Sequence, residues 1–261
     1  VVGGAAGARG GGGLVWGNVG SARVAGAAAV VNHVVDQKID TVMARTRKRP
    51  VATGKIAPMD AFLFAAILAC VGMAVLMWQV NHLTAWLTLA SLVGYAGVYT
   101  LFLKRATPQN ITIGGLAGAM SPLLCWTAVT GQVEGHAMLL ELIIFAWPPP
   151  HFWALAIHRQ EEYPNAGIPM LPVTPGNTFT ELHILLYTLR LLAVSLLPFV
   201  TGMSGGIYLM GALALGLRFL QYAVRLLKGD DRRVALNTFK YSITYLMALF
   251  VVLLVDHFVF F

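Results

Sequence analysis

Residues 60–79 have the sequence DAFLFAAILACVGMAVLMWQ, in which Asp60 at the first position is the only charged residue. An apolar stretch of about 20 residues is what an α-helix needs to cross a bilayer core about 30 Å thick. Inside that core a segment must satisfy its own backbone hydrogen bonds, which a helix does. The stretch therefore predicts a membrane-spanning helix.

Comparable apolar stretches occur along the rest of the chain. They predict further spanning helices at 83–103, 110–130, 137–157, 181–200, 205–227 and 238–261. Residues 14–34 form a weaker eighth stretch, whose many Gly and Ala residues suit close packing against other helices. The 261 residues are 57% hydrophobic and 11% charged, with a mean hydropathy of +0.72, which excludes an ordinary soluble domain. We expect an all-α, polytopic membrane bundle with about eight transmembrane helices.

Basic residues occur in alternate connections between the predicted spans. The four basic connections contain Arg45, Arg47, Lys48, Arg49 and Lys55; Lys104 and Arg105; Arg159; and Lys228, Arg232 and Arg233. The connections at 80–82, 131–136 and 201–204 contain no Lys or Arg. We expect an integral protein of a bacterial plasma (inner) membrane, and the positive-inside rule places its basic loops in the cytoplasm. The net charge of +7 follows this topology, not a nucleic-acid-binding surface.

The chain begins with the glycine-rich sequence VVGGAAGARGGGG. It lacks the basic region and apolar region of a signal peptide, and no GK[ST] follows the glycines as it does in a phosphate-binding loop. We expect residues 1–25 to be an atypical segment, a truncated first helix, and residues 26–261 to form one transmembrane domain.

The richest polar stretch is VNHVVDQKIDTVMARTRKRP at 31–50. Asn32, Asp36 and Asp40 are spaced i, i+4, i+8, which places their oxygen atoms on one face of a helix. Two carboxylates and an amide oxygen suit Mg²⁺, which is commonly held by one or two carboxylates together with substrate phosphates. The alternative interpretation of the carboxylates is a solvated helix end.

Basic residues follow Asn32, Asp36 and Asp40 closely in the sequence. Arg45 and Arg49 are also four residues apart and can donate bidentate hydrogen bonds to a diphosphate. Lys104 and Arg105, at the next cytoplasmic connection, and Arg159 are further candidates for diphosphate binding. The alternative for Arg45 and Arg49 is topology retention and contact with lipid headgroups, and for Lys104 and Arg105 it is charge anchoring of a helix end.

A second polar cluster lies within PPPHFWALAIHRQEEYPNAGIPMLPV at 148–173. Glu161 and Glu162 can add a second acidic arm to a metal site, or form a solvated acidic pair. His151 is a candidate proton-transfer group, a wall of an aromatic pocket or a structural histidine. Arg190 and Arg218 fall well inside predicted spans, which favours an interior pocket that needs positive charge or internal ion pairing.

Four segments resemble the UbiA-type intramembrane prenyltransferases, and among them the members that farnesylate haem. The segments are NHVVDQKIDTVMARTRKRP at 32–50, YTLFLKRATPQNITIGGLAGAMSPL at 99–123, PPHFWALAIHRQEEYPNAGIPMLPV at 149–173 and FKYSITYLMALFVVLLVDH at 239–257. The NxxxDxxxD pattern is general to the superfamily, whereas LKRATPQN and PHFWALA are similar to the haem-modifying branch.

The resemblance implies nine helices around a central cavity, farnesyl diphosphate and haem b as substrates, and dependence on Mg²⁺. It assigns Asn32, Asp36 and Asp40 to the first acidic motif and Glu162 with Tyr163 to the second, with Glu161 as a further metal ligand. It also implies a product used by terminal oxidases, and hence a haem A synthase or a terminal oxidase assembly as partner. Members of the family usually begin with one further helix and more often have Asp-Asp or Glu-Asp where this chain has Glu-Glu.

Three other functions are consistent with parts of this pattern. A prenyltransferase acting on an aromatic quinone precursor or chlorophyllide would use the same acidic motif. A transporter could use Asp36 and Asp40 as a cation path, although such sites are expected near the bilayer midplane. An inactive, truncated remnant is the third.

Overall fold

The computed structural model describes residues 10–42, 46–103, 110–160, 171–172, 176–229 and 232–260. All regular secondary structure within these ranges is helical, as the sequence predicts. The elements are α1 (Gly10–Val35), α2 (Gln37–Val42), α3 (Pro58–Gln79), α4 (His82–Leu92), the π-helix π1 (Val93–Leu103), α5 (Asn110–Ala119), α6 (Ser121–Thr130), α7 (Gly135–Ala146), α8 (Pro148–His158), α9 (Asn177–Val200), α10 (Gly206–Lys228) and α11 (Arg232–Phe260).

Seven helical segments among the described residues are long and apolar enough to cross a membrane. They are Gly11–Val35, Pro58–Gln79, His82–Thr100, Gly135–His158, Asn177–Val200, Gly206–Lys228 and Arg232–Val259. Each overlaps one predicted span, including the weak stretch at 14–34. The prediction of a polytopic helical membrane bundle is therefore confirmed.

The predicted span at 110–130 differs from the other seven. It consists of the two ten-residue helices α5 and α6, which are separated at Met120. Pro122 lies in the first turn of α6. Because proline has no amide hydrogen and disfavours helical conformation in the residue before it, the hydrogen-bond ladder of one continuous helix is interrupted here.

The chain forms two compact units, Val1–Met138 and Leu139–Phe261, and the single domain predicted for 26–261 stays a prediction. In the first unit α1 packs along α3 through glycine. A Cβ on Gly20 would lie 2.6 Å from Leu76 Cγ, and a Cβ on Gly72 would lie 2.9 Å from the carbonyl oxygen of Gly20. The small residues of α1 therefore allow the close backbone approach that its composition predicts.

The second unit has its own core, in which α9, α10 and α11 pack together and α8 contacts α9 and α11. Ile143, Leu191, Phe219 and Tyr245 are among its fully buried side chains. Asp256, which is completely buried on α11, accepts hydrogen bonds from the backbone N–H groups of Gly205 and Tyr208 at the start of α10. This carboxylate satisfies donors that a helix N-terminus otherwise leaves unpaired.

Arg190 and Arg218 are both exposed. The guanidinium carbon of Arg190 lies 5.6 Å from the ring centroid of Phe145 and 5.5 Å from that of Tyr187. The guanidinium carbon of Arg218 lies 5.2 Å from the ring centroid of Tyr222. The structure thus shows cation–π contacts for both arginines, and neither side chain is enclosed as the expected interior pocket requires.

Candidate functional site

Asn32, Asp36 and Asp40 lie where α1 passes into α2. Helix α1 ends at Val35 and α2 begins at Gln37, with Asp36 between them. The backbone N–H of Asp36 donates to the carbonyl oxygen of Asn32 at 2.9 Å, and that of Asp40 donates to the carbonyl oxygen of Asp36 at 2.8 Å. These i to i−4 bonds continue the helical spacing across the junction, so the three side chains remain on one face.

Burial distinguishes this group from a solvated helix end. Asp36 is 1% exposed and Asp40 is 4% exposed, while Asn32 is half-buried. A carboxylate is rarely buried to this degree unless it is paired or holds a cation. The interpretation of these two aspartates as a solvated helix end is therefore wrong.

One of the predicted basic partners contacts the carboxylate of Asp40 directly. Arg49 Nη1 lies 2.8 Å from Asp40 Oδ2, and the Arg49 side chain remains 29% exposed. Thr46, which is buried, donates its hydroxyl to the carbonyl oxygen of Asp40 at 3.2 Å. Gln37 Nε2 donates to the carbonyl oxygen of Val51 at 3.1 Å. These bonds fix residues 46–51 against α2. They also direct Arg49 to the acidic face, which is the helical face that carries Asn32, Asp36 and Asp40.

The π-helix π1 supplies side chains that sequence reasoning missed. Thr100, which is fully buried, donates to Asn32 Oδ1 at 3.4 Å and to the carbonyl oxygen of Tyr95 at 2.8 Å. Tyr95 and Tyr99 stack with ring centroids 5.4 Å apart. No local sequence pattern marks Thr100, because its contact with Asn32 depends on the π-helical backbone and on the packing of π1 against α1.

A cavity of about 420 Å³ lies beside this group, between α1, α4, π1, α5 and α6. Its walls are mostly small apolar side chains, with a few hydroxyls such as those of Ser21, Ser91 and Ser121. Its lining extends along α1 from Leu14 to Ala29, about one turn before Asn32. The volume falls in the range of pockets that enclose small organic ligands.

The second predicted cluster is described only in part. His151 is buried within the second unit, and its Nδ1 lies 2.6 Å from Ser242 Oγ. Arg159 is half-buried at the end of α8, where its backbone N–H donates to the carbonyl oxygen of Leu155 at 3.0 Å. Six other candidates lie outside the described residues: Arg45, Lys104, Arg105, Glu161, Glu162 and Tyr163.

The described part of the site fits a hard cation. Within the described ranges no three His, Cys, Asp or Glu side chains come together as metal ligands. The two buried carboxylates and the amide of Asn32 nevertheless form an all-oxygen donor set, and Mg²⁺ is usually bound by one or two carboxylates with phosphate oxygens completing its shell. These oxygen donors therefore suit a cation whose coordination shell is completed by a phosphate-bearing ligand.

Known proteins match nearly the whole chain. The UbiA prenyltransferase family matches residues 1–254. A protein named protoheme IX farnesyltransferase from Marinobacter nauticus is 87% identical over 247 residues, which are 95% of this chain and 82% of that protein.

Solved structures share the fold. The structure of a digeranylgeranylglyceryl phosphate synthase has a TM-score of 0.76 at 18% sequence identity and covers 94% of this chain and 91% of its own. A UbiA homologue from Archaeoglobus fulgidus, bound to GPP and Mg²⁺, has a TM-score of 0.59 at 14% identity and covers 92% of this chain and 87% of its own. At these identities the likeness concerns the fold alone.

Proposed function

The chain belongs to the UbiA prenyltransferase family, and from that membership we propose that it transfers the farnesyl group of farnesyl diphosphate to a vinyl group of haem b, forming haem O. It is an integral, multi-pass membrane protein. The observation that carries the proposal is the burial of Asp36 and Asp40, the second of which is paired with Arg49, about one turn beyond an apolar cavity. A prenyl diphosphate has the matching shape, with a charged head and an apolar tail.

We assign the diphosphate group of farnesyl diphosphate to the acidic face. Asp36 and Asp40, with the amide of Asn32, are the residues that would hold Mg²⁺, and Glu161 and Glu162 are the proposed second acidic arm. Bound Mg²⁺ would neutralise negative charge that develops on the departing diphosphate. The UbiA homologue from Archaeoglobus fulgidus is bound to both GPP and Mg²⁺, which supports the use of this cation within the family.

Arginine and lysine side chains complete the proposed binding site for the diphosphate group. Arg49 is held at 2.8 Å from Asp40 yet keeps part of its surface exposed, so it can donate to a phosphate oxygen while its ion pair fixes its position. We assign Arg45, Lys104, Arg105 and Arg159 to the same task. Donors fixed before the reaction stabilise the developing charge without reorganisation cost, which is often the largest catalytic contribution.

The tail of the donor is assigned to the cavity along α1. Burial of an apolar chain is favourable by about 0.8 kcal/mol per methylene group. The mostly apolar walls would also limit the access of bulk water to the allylic cation until the new bond forms.

The chemistry then proceeds in three steps. The bond between C1 of the farnesyl group and the diphosphate oxygen breaks, and its electron pair leaves with the diphosphate. The vinyl group supplies the electrons of the new carbon–carbon bond. The cation that remains beside the porphyrin ring takes up water and loses a proton, which gives a hydroxyethylfarnesyl substituent. His151 and Tyr163 are further proposed catalytic residues.

Haem b is preferred to the other acceptors because of the 87% identical relative named protoheme IX farnesyltransferase. An aromatic quinone precursor or chlorophyllide would use the same acidic face, so the acceptor must be tested directly. We place the protein in the bacterial inner membrane with the acidic face on the cytoplasmic side. Association with a haem A synthase or a terminal oxidase assembly stays a prediction.

Mass spectrometry of haem extracted from membranes that contain the protein tests the proposal. Addition of farnesyl diphosphate and haem b should give farnesylated haem with the wild-type protein and none with Asp36→Ala. Prenylation of a hydroxybenzoate without any farnesylated haem would show that the acceptor is a quinone precursor and not haem. Ion flux into liposomes without prenyl transfer would favour a transporter.

A further inference from the structure

His151 is held in one orientation by aromatic rings on both faces. Its ring centroid lies 4.1 Å from that of Trp147, with 23° between the planes, and 4.5 Å from that of Phe239, with 28° between the planes. Phe152 meets the imidazole edge-on at 4.8 Å. Because His151 lies on α8 and Phe239 on α11, two different helices clamp the ring.

The hydrogen bonds of Ser242 determine which ring nitrogen carries the proton. Ser242 Oγ lies 2.6 Å from the carbonyl oxygen of Phe239 and 2.6 Å from His151 Nδ1. A carbonyl oxygen cannot donate, so the proton between the two oxygen atoms is that of the serine hydroxyl. With its proton used there, Ser242 Oγ must accept from His151, which places a proton on Nδ1. The neutral imidazole then carries its lone pair on Nε2.

A third contact fixes this arrangement. Trp147 Nε1 donates to the carbonyl oxygen of Ser242 at 2.7 Å. The residue that stacks on one face of the imidazole thus also holds the backbone of the residue that fixes its tautomer. Among the described residues, Nε2 of His151 has no hydrogen-bond partner.

We propose that His151 Nε2 is an axial ligand to the iron of the acceptor haem, with Ser242 as its positioning residue. The inference rests on the proposed function, since it needs haem as the acceptor. Histidine ligands of metals almost always donate their other ring N–H to a fixed acceptor, which sets the tautomer and the ring orientation. His151 shows this pattern: a buried neutral imidazole, an N–H held by Ser242, and a lone pair on the opposite nitrogen. Ligation at this point would fix the position of the porphyrin relative to α8 and α11.

The experiment uses the 261-residue chain in detergent, titrated with ferric haem b and followed by optical absorption and electron paramagnetic resonance, and by resonance Raman spectroscopy after reduction to ferrous haem. The wild-type protein should show an iron–histidine signature. His151→Ala should lose that signature and bind haem at least 10-fold more weakly, and added imidazole should restore the signature. Ser242→Ala should keep the ligand but lower the iron–histidine stretching frequency, because the ring loses its acceptor.

A matched control is available in the same unit. His183 also has its Nδ1 within hydrogen-bond distance of an oxygen, the backbone carbonyl of Phe179 at 2.8 Å, but it is half-buried and is not held by a second helix through a hydroxyl. His183→Ala should leave the spectra unchanged. If this variant loses the signature instead, the assignment to His151 is overturned.

The possible results distinguish the proposed iron ligation by His151 from the proposed farnesyl transfer. Farnesylated haem formed by a wild-type protein that lacks any histidine signature would overturn the ligation and leave the function intact. A histidine signature that depends on His151, without any farnesylated haem, would support the ligation and refute the function. If His151→Ala does not fold, as judged by thermal unfolding, His151→Gln provides the same test with a side chain of similar volume.

Discussion

Arg49 reaches back nine residues to place its guanidinium group 2.8 Å from the carboxylate of Asp40. The ion pair joins the loop after α2 to the helical face that carries the acidic motif. Asp40 is buried while Arg49 is partly exposed, so the pair has one desolvated partner and one that can still contact a ligand. Arg49 therefore both balances the charge of Asp40 and remains available to a diphosphate.

Arg49→Gln should lower kcat/KM for farnesyl diphosphate by about 100-fold, because the change removes a preorganised positive charge from the leaving group. Arg49→Lys should recover part of the activity, since lysine keeps the charge but loses the planar, bidentate geometry. Steady-state assays of farnesylated haem formation measure kcat/KM for both variants. Arg47→Gln is the matched control, because Arg47 is exposed in the same loop, and its activity should stay within about 2-fold of wild type. Equal losses in the two variants would point to a general effect of loop charge.

Asp36→Asn should reduce turnover by at least about 100-fold at any Mg²⁺ concentration, since a neutral amide replaces a buried carboxylate of the proposed cation site. Wild-type activity should disappear with EDTA and return when Mg²⁺ is added. Asp60→Asn removes an exposed carboxylate at the start of α3 and should leave the Mg²⁺ titration unchanged. Full activity of the wild-type protein in EDTA would contradict the assignment of a cation to this face.

Ala25→Phe tests the cavity as the site of the prenyl tail. Ala25 lines the cavity seven residues before Asn32, about 10 Å along the helix, so a phenyl ring there occupies space meant for the distal part of the tail. The KM for farnesyl diphosphate should rise about 10-fold or more, and the shorter geranyl diphosphate should be affected less. Ala66→Phe, at an exposed position on α3, should change neither value. Equal effects on both donors would place the tail elsewhere.

Sequence reasoning predicted the features that follow from local rules. Apolar length identified the spans, and the four-residue spacing of Asn32, Asp36 and Asp40 placed them on one face. It did not predict the contact of Thr100 with Asn32, because that contact depends on a π-helix and on the packing of π1 against α1. Ser242 was also missed. A serine inside an apolar helix resembles many others until its partner on another helix is known.

Gly72→Val should lower the thermal stability of the protein, because the first unit depends on close approach of α1 and α3. A Cβ at Gly72 would lie 2.9 Å from the carbonyl oxygen of Gly20 and 2.8 Å from Cγ2 of Val24, so the helices must separate to accommodate it. Overpacking of this kind costs about 1–3 kcal/mol. Gly12→Val is the matched control on α1, since a Cβ there meets no atom within 4 Å.

The two substitutions can be compared by thermal unfolding in detergent and by activity. Gly72→Val should lower Tm clearly more than Gly12→Val, and its activity should fall as well, because α1 carries both the cavity wall and Asn32 at its end. Addition of farnesyl diphosphate and Mg²⁺ should recover part of the lost stability, since a ligand that binds only the folded state stabilises it by mass action. Identical Tm values for the two variants would show that the contact between α1 and α3 does not limit stability.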